Sequence, residues 1–319
     1  MTPQQRKWLV AAIKLAIVGL LIWGVHRTVG KAFDDLRKHP LELNLAWLIA
    51  AGAIYLCAML PSALFWFAVL RAMGQRVGLF AAIRAYYIGH VGKYVPGKAL
   101  VVVLRAGLVR GPEVSGAVAA VGVFVETLTM MASGSFLAAA LIAMQSARNW
   151  LYIAAAVAFM LASGLPTLPP VYQRLIRLTR IGRANPDAAD QLERIGYRTL
   201  VLGWLATGIG WWIMGLSLTA VLRGMGQSSA GSIAGLPQTT MVVCVSVVLG
   251  FMSFIPGGIV VREVAMAELM RPMSGPEVAV AAAVVLRVVW LVAELAAAGV
   301  LYLIHIARRR KSVEPERQE

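Results

Sequence analysis

Lys93, Lys98, Arg105, Glu126, Arg262, Glu263, Arg287 and Glu294 all lie within or beside apolar segments of the chain. A charge held at the centre of a bilayer costs about 2.5–3.5 kcal/mol on insertion scales, so side chains of this kind either pair with one another or bind something. Lys93 and Lys98 flank Pro96-Gly97, and Arg262-Glu263 follow Pro256-Gly257-Gly258 by little more than one helical turn. Proline removes a backbone donor and clashes with the preceding turn, and glycine permits positive φ. Pro96, Gly97, Pro256, Gly257 and Gly258 therefore read as helix breaks. A helix restarting after such a break points free N–H groups at it, which attracts anions. Basic side chains at the same place predict a site for an anionic group. The candidate binding residues are Lys93, Lys98, Arg262, Glu263, Glu126, Arg287 and Glu294. Arg287 and Glu294 are seven residues apart and share a helix face. The competing reading is that these charges only pair and hold helices together.

Other chemistries find less support. The two cysteines, Cys57 and Cys244, lie in apolar blocks and read as small packing residues rather than a disulfide framework. His26, His39, His90 and His305 are scattered, no Cys/His cluster has metal-ligand spacing, and no nucleophile–base arrangement is visible. The sequence thus predicts no catalytic residues, no metal and no cofactor. A formal net charge of +15 in a soluble protein would suggest nucleic acid. Here the basic residues sit in loops and tails beside apolar blocks, as expected for a surface that faces anionic lipid, and no nucleic-acid partner is predicted.

The elements that must position these charges are membrane spans. Hydrophobic residues make up 59% of the 319 positions and charged residues only 14%, with mean hydropathy +0.74. A soluble domain carries about 25% charged residues. The blocks are mostly apolar all round, without the polar face of a soluble surface helix. The prediction is an all-α polytopic membrane protein forming one membrane domain over residues 1–319. A first span covers 8–25, where Lys14 reaches back to the headgroups and no convincing leader-cleavage site follows. Further full spans are predicted at 45–70, 115–144, 150–168, 199–222 and 278–306. Two segments, 85–109 and 236–270, are apolar but broken at their centres, and are predicted to re-enter rather than cross. A hydrophilic loop at 172–198 and a tail at 307–319 complete the chain.

The broken segments belong to a repeat. Lys93-Tyr94-Val95-Pro96-Gly97-Lys98 aligns with Ser253-Phe254-Ile255-Pro256-Gly257-Gly258, and each is followed by Pro-Glu-Val, at 112–114 and 276–278, and then by a long apolar span. A span also precedes each. Residues 45–144 and 199–306 are thus two copies of one unit, with 150–168 as the linking span. Basic residues of the 172–198 loop and the 308–311 cluster assign both to the cytoplasm, which also places the N-terminus and 71–84 inside. Segment 26–44 falls outside, against its Arg27, Lys31, Arg37 and Lys38. The two hairpins then open to opposite sides, so the units are inverted, the pattern of many secondary transporters.

The stretch Gly89-His90-Val91-Gly92-Lys93-Tyr94-Val95-Pro96-Gly97-Lys98 resembles the lysylphosphatidylglycerol synthase transmembrane region, or flippase-like domain, family. Phe254-Ile255-Pro256-Gly257-Gly258 with Arg262-Glu263 is similar to that family's second motif. The resemblance covers nearly the whole chain. It implies the translocating part of a lipid flippase that full-length relatives carry fused to a cytosolic aminoacyl transferase, and the expectation is that this chain does not aminoacylate lipid. The expected function is a lipid or lipid-linked carrier translocase of the cytoplasmic membrane, whose partner is a lipid with an anionic headgroup. The alternative is a non-transporting membrane partner of a lipid-modifying enzyme or glycosyltransferase.

Overall fold

The computed structural model describes residues 43–94, 99–145, 150–178, 190–253, 258 and 260–313. The predicted first span at 8–25, and Pro96, Gly97, Lys98, Pro256 and Gly257, lie outside these residues. Among the described residues ten α-helices follow in order: α1 Leu45–Ala72, α2 Leu79–His90, α3 Ala99–Val109, α4 Gly116–Gln145, α5 Trp150–Gly164, α6 Pro169–Leu178, α7 Tyr197–Gly224, α8 Leu236–Met252, α9 Val261–Ser274 and α10 Pro276–Val313. A 3-10 turn, Val91–Tyr94, prolongs α2. No strand occurs among the described residues. An all-helical chain is what lipid demands, since each helix satisfies its own backbone groups.

Among the described residues, five stretches are long and apolar enough to cross a membrane: Leu45–Ala72, Gly116–Met144, Tyr197–Gly224, Ile233–Met252 and Pro276–Arg308. The chain is therefore an all-α polytopic membrane protein. Two lengths differ from the sequence expectation. The 150–168 segment is a 15-residue helix prolonged by a 3-10 turn at Leu165–Thr167. Conversely, the first limb of the second broken segment, with its leading turn, reaches 20 residues. The run from Met241 to Met252 carries no charge, and the helix ends at Met252, just before the Phe-Ile-Pro-Gly-Gly segment.

Packing between apolar helices in lipid depends on close approach rather than on burial from water, and small residues supply it. Helices α1 and α7 form the most extensive contact of the bundle. At Gly210 a Cβ would stand 2.9 Å from the Ala58 carbonyl oxygen, and at Gly203 it would strike the Phe65 ring. Ser217 of α7 donates to the Ala51 carbonyl at 2.8 Å and accepts from Trp290 Nε1 of α10 at 2.9 Å, which ties three helices at one point. Helices α7 and α8 meet at Gly215, where a Cβ would lie 2.9 Å from Thr240 Cα.

Helices α2 and α3 form an antiparallel hairpin. Arg84 Nη2 donates to the Leu108 carbonyl at 3.1 Å, Gly89 lies against Arg105 and Gly92 against Val101. A Cβ at Gly92 would come within 2.9 Å of the Val101 amide nitrogen, so the two glycines of the Gly-His-Val-Gly stretch let the limbs close on each other. Helices α8 and α9 pack together in the same way, with Gly250 against Gly258, whose φ is +65°, and against Arg262.

Contacts between loops define two ends of the bundle. At one end Gln75 joins three segments: it donates to Gln191 Oε1 at 2.8 Å and to the Met73 carbonyl, and accepts from the Ser115 amide at 2.8 Å. Arg84 meets His305 and Arg308 lies over Phe80, so the C-terminal part of α10 reaches this same end. At the other end the Asn44 amide donates to the Gly224 carbonyl at 2.8 Å. Asn44 also caps α1, its side chain accepting from the Ala46 and Trp47 amides. The described parts of the 172–198 segment, 172–178 and 190–198, are more structured than a hydrophilic loop. Tyr172, Leu192 and Ile195 are buried with Phe65, Val69 and Val118, and the Tyr172 hydroxyl donates to the Ile195 carbonyl at 2.8 Å. Its apolar residues, sparse among the arginines, suffice to anchor it.

Candidate functional site

The deep charges fall into three clusters around one cavity. Glu126 lies ten residues past the start of α4, about 15 Å along the helix at 1.5 Å per residue. Arg105 Nη1 donates to its Oε2 at 2.8 Å and the Tyr86 hydroxyl to its Oε1 at 3.0 Å. Both charged side chains are buried, and the Arg105 guanidinium rests 3.7 Å from the centre of the Tyr86 ring. This charge is offset by a direct pair, a hydroxyl donor and an aromatic face.

Glu294 lies in α10, also buried. Lys93 Nζ donates to its Oε1 at 2.5 Å, and the Tyr55 hydroxyl donates to the same oxygen. Lys93 stands on the 3-10 turn that prolongs α2, which lets a helix ending inside the bundle present its side chain to α10. The Tyr55 ring stacks on Trp290 at 4.1 Å. The other carboxylate oxygen, Oε2, has no hydrogen-bond partner among the described residues.

His90 joins these two clusters. Its Nδ1 lies 3.3 Å from Arg105 Nη2 and its Nε2 lies 3.0 Å from Lys93 Nζ. A continuous line of polar contacts therefore runs from Glu294 through Lys93, His90 and Arg105 to Glu126.

The third cluster is at the start of α9. Glu263 pairs with Arg287 of α10 and accepts from the Val260 amide at 2.7 Å. Val260 has φ +76° and ψ −56°, a γ-turn geometry that is unusual and strained for a β-branched residue. The neighbouring Arg262 is different. Its guanidinium lies 4.5 Å from the centre of the Trp290 ring, and no carboxylate among the described residues pairs with it.

A cavity of about 370 Å³ lies between these clusters. Tyr55, Tyr86, His90, Lys93, Arg105, Glu126, Arg262 and Trp290 line its polar part. Val123, Met130, Met131, Met214 and Val247 line its apolar part. Phe124 of α4 and Phe251 of α8 line it too, yet each is 40% exposed, so the apolar part opens sideways onto the outer surface of the bundle.

Of the residues singled out in the sequence, Lys93, Arg262, Glu126 and Gly258 line this cavity. Glu263, Arg287 and Glu294 stand behind it and support the residues that do. Arg287 and Glu294 share a helix but take their partners from different elements, Glu263 and Lys93. Sequence reasoning did not assign Arg105, His90, Tyr55, Tyr86 or Trp290 to the site. Arg105 carried the same signal as its neighbours, a charge in an apolar segment. His90, three residues before Lys93 and so on the same helix face, was also within reach of the pattern. The three aromatic residues carried none, because aromatic side chains are ordinary in membrane helices. Among the described residues no group of three or more His, Cys, Asp or Glu side chains could hold a metal ion.

These features define a polytopic helical membrane protein with a cavity that is charged at one side and apolar at the other. Residues 11–299 match the family described as the lysylphosphatidylglycerol synthase TM region, and the chain belongs to that family. Comparison with curated proteins and with solved structures found no match.

Proposed function

We propose that the protein is a flippase-like translocase that moves a lipid, or a lipid-linked carrier, with an anionic headgroup across the cytoplasmic membrane. The observation that carries this reading is the two-sided cavity. Lys93 and Arg262 offer positive charge at its polar side, while Phe124 and Phe251 leave its apolar side open to the surroundings of the helices. A soluble anion needs no such lateral opening. A lipid does, since its acyl chains remain in the bilayer while the headgroup enters. Arg262 is the primary headgroup contact, because its guanidinium faces the cavity without a carboxylate partner among the described residues. Lys93 contributes second, and Lys98, which lies outside the described residues, is assigned to the same role from its place in the motif. The proposal includes no catalytic step and no cofactor.

In this reading α2–α3 and α8–α9 are re-entrant hairpins of two inverted units. Three observations support it. Helices α1 and α7, which precede the hairpins, are both 28 residues long and pack on each other. The hairpins are followed by the long helices α4 and α10. The start of α4 lies at the Gln75 end, whereas α10 brings its C-terminal part to that end and so begins at the other. The Gln75 end carries Arg174, Arg177, Arg194 and Arg198 and is assigned to the cytoplasm by the positive-inside rule. With the segment at 8–25 as a first span, both termini are cytoplasmic.

The test is transport of a labelled anionic lipid in reconstituted vesicles. Wild-type protein is expected to move the lipid between leaflets, and the Lys93→Gln/Lys98→Gln and Arg262→Gln variants to insert and purify but to lose most of that movement. Full movement by well-folded variants refutes the assigned site. No movement by wild-type protein of any anionic lipid favours instead a non-transporting partner of a lipid-modifying enzyme or glycosyltransferase.

A further inference from the structure

Lys93 Nζ and Arg105 Nη2 approach the two ring nitrogens of His90 at 3.0 and 3.3 Å. Arginine has donors only, and a charged lysine likewise. A neutral imidazole has a single lone pair for accepting, so it satisfies one of these two contacts. The other is donor to donor, whichever nitrogen carries the ring proton. The resting cluster thus holds His90 neutral between two cations, with Glu294 Oε1 at 3.7 Å from Nε2 and the Tyr55 hydroxyl at 3.5 Å.

The groups that act on His90 come from every element around it. Tyr55 approaches from α1, the Tyr86 ring stacks on it from α2 at 6.1 Å, Lys93 lies on the 3-10 turn and Arg105 on α3. Arg262 acts from α9 across the cavity, Glu294 from α10, and Glu126 of α4 stands behind Arg105. His90 itself lines the cavity beside Lys93 and Arg262. An anion entering there would accept hydrogen bonds from Lys93 and Arg262 and would draw Lys93 from the imidazole. The freed Nε2 faces added negative charge and water that enters with the headgroup.

We propose that His90 takes up a proton when an anionic headgroup binds in the cavity, so that lipid movement carries a proton with it. This rests on the reading of the cavity as a headgroup site. The step is a simple balance: on binding, one N–H bond forms on His90 with a proton taken from the bulk aqueous phase, and when the headgroup departs that N–H bond breaks and the proton returns to water. Binding linkage is reciprocal, so whatever anion binding does for the proton, the proton does for the anion. Lipid affinity therefore rises as pH falls, by at most about tenfold per pH unit for a single proton.

Calorimetric titration of the full-length protein with phosphatidylglycerol in mixed micelles tests this, run in two buffers of different ionisation enthalpy. Phosphatidylglycerol is a phosphodiester that keeps one negative charge between about pH 6 and pH 8, the range where histidine changes charge, so its headgroup supplies no proton. The expected result is binding whose apparent enthalpy differs between the buffers by up to one proton per lipid. The difference should vanish in His90→Gln, and in His90→Asn should the first variant fold poorly, even where binding is weakened. Binding by wild-type protein with no buffer difference overturns the coupling and leaves the headgroup site standing. A difference that persists in the folded His90 variants overturns the assignment to His90. Absence of binding by wild-type protein overturns the headgroup site and the coupling with it. Phosphatidylcholine, with no net headgroup charge, should show neither the affinity nor the proton.

Discussion

Replacing Arg105 by glutamine strands a buried carboxylate and gives the sharpest measure of how the cavity wall is built. Arg105 and Glu126 have side chains 3% and 1% exposed, with Nη1 and Oε2 2.8 Å apart. Removing one partner of such a pair costs about 3–5 kcal/mol, since the charge left behind has no substitute solvent. The guanidinium also leaves the Tyr86 ring, a desolvated cation–π contact of about 2 kcal/mol. Two effects trim the loss: Tyr86 and Thr127 still donate to Glu126, and a neutral glutamine keeps part of the packing. The expected destabilisation of Arg105→Gln is therefore about 3–5 kcal/mol. Glu126→Gln leaves Arg105 with His90 and the Tyr86 face and should cost somewhat less. Once one partner is gone the other has no charge to answer, so the double variant should fall short of the sum by about 2–3 kcal/mol, at the upper end for neighbouring residues. Denaturant unfolding of the purified protein in detergent, followed by helical circular dichroism, gives all four corners of this cycle. Additive single losses, or an Arg105→Gln loss below about 0.5 kcal/mol, typical of a surface substitution, would refute the reasoning that this wall is held by charge pairing.

Three further outcomes follow from the packing and the ends of the bundle. Arg287→Leu removes the partner of Glu263 at the start of α9 and should lower folded yield, whereas Arg287→Leu/Glu263→Gln should recover part of it; wild-type yield of the single variant would show that the pair is idle. Gly215→Ala places a Cβ 2.9 Å from Thr240 Cα, where no side-chain movement gives relief, and should cost about 1–3 kcal/mol, read by the same unfolding assay. Single cysteines at 111–114 and at 271–277, introduced where Cys57 and Cys244 have been replaced, should react with impermeant reagents from opposite faces of sealed vesicles; labelling from one face would sink the inverted arrangement.

The helical class was legible because it has a local cause, and so does the reading of the Pro-Gly segments as breaks. Long apolar blocks in a chain with few charges leave lipid as the only solvent, and Pro-Gly in such a block cannot continue a helix. The limits of the reading were also physical. Hydropathy registers composition and not where a helix ends, so it gave residues 150–168 one weight where a helix to Gly164 is followed by a 3-10 turn to Thr167, and it did not show that Ile233–Met252, the first limb of the second broken segment with its leading turn, reaches 20 residues. The arginines of 172–198 masked Tyr172, Leu192 and Ile195, which bury against α1 and α4. Charge at depth named Glu126, Glu294 and Arg287, but a sequence does not state partners. Those come from elements 21 to 201 residues away, such as Arg105 for Glu126 and Lys93 for Glu294.

The partners divide the charges in a way that bears on movement. Arg105 with Glu126 joins a hairpin limb to the long helix that follows it, and Glu263 with Arg287 does the same in the second half of the chain, with the signs exchanged between limb and long helix. Each of these pairs fastens one half of the chain to itself. Lys93 with Glu294 crosses between the halves, from the turn after α2 to α10, and Tyr55 of α1 reaches the same carboxylate. If the halves rock against each other as transporter repeats do, this is the contact that must loosen, and its Lys93 lines the cavity next to His90. A headgroup that competes with Glu294 for Lys93 would weaken the tie between halves at the moment it binds. A ligand shifts a conformational equilibrium only through such a difference in its contacts with the two states. Lys93→Gln should then do more than weaken binding: with the cross-half pair gone, cysteine cross-linking between the turn after α2 and α10 should slow even without lipid, whereas Arg262→Gln should leave it unchanged. Equal cross-linking in wild-type protein and Lys93→Gln would show that the pair does not hold the halves together.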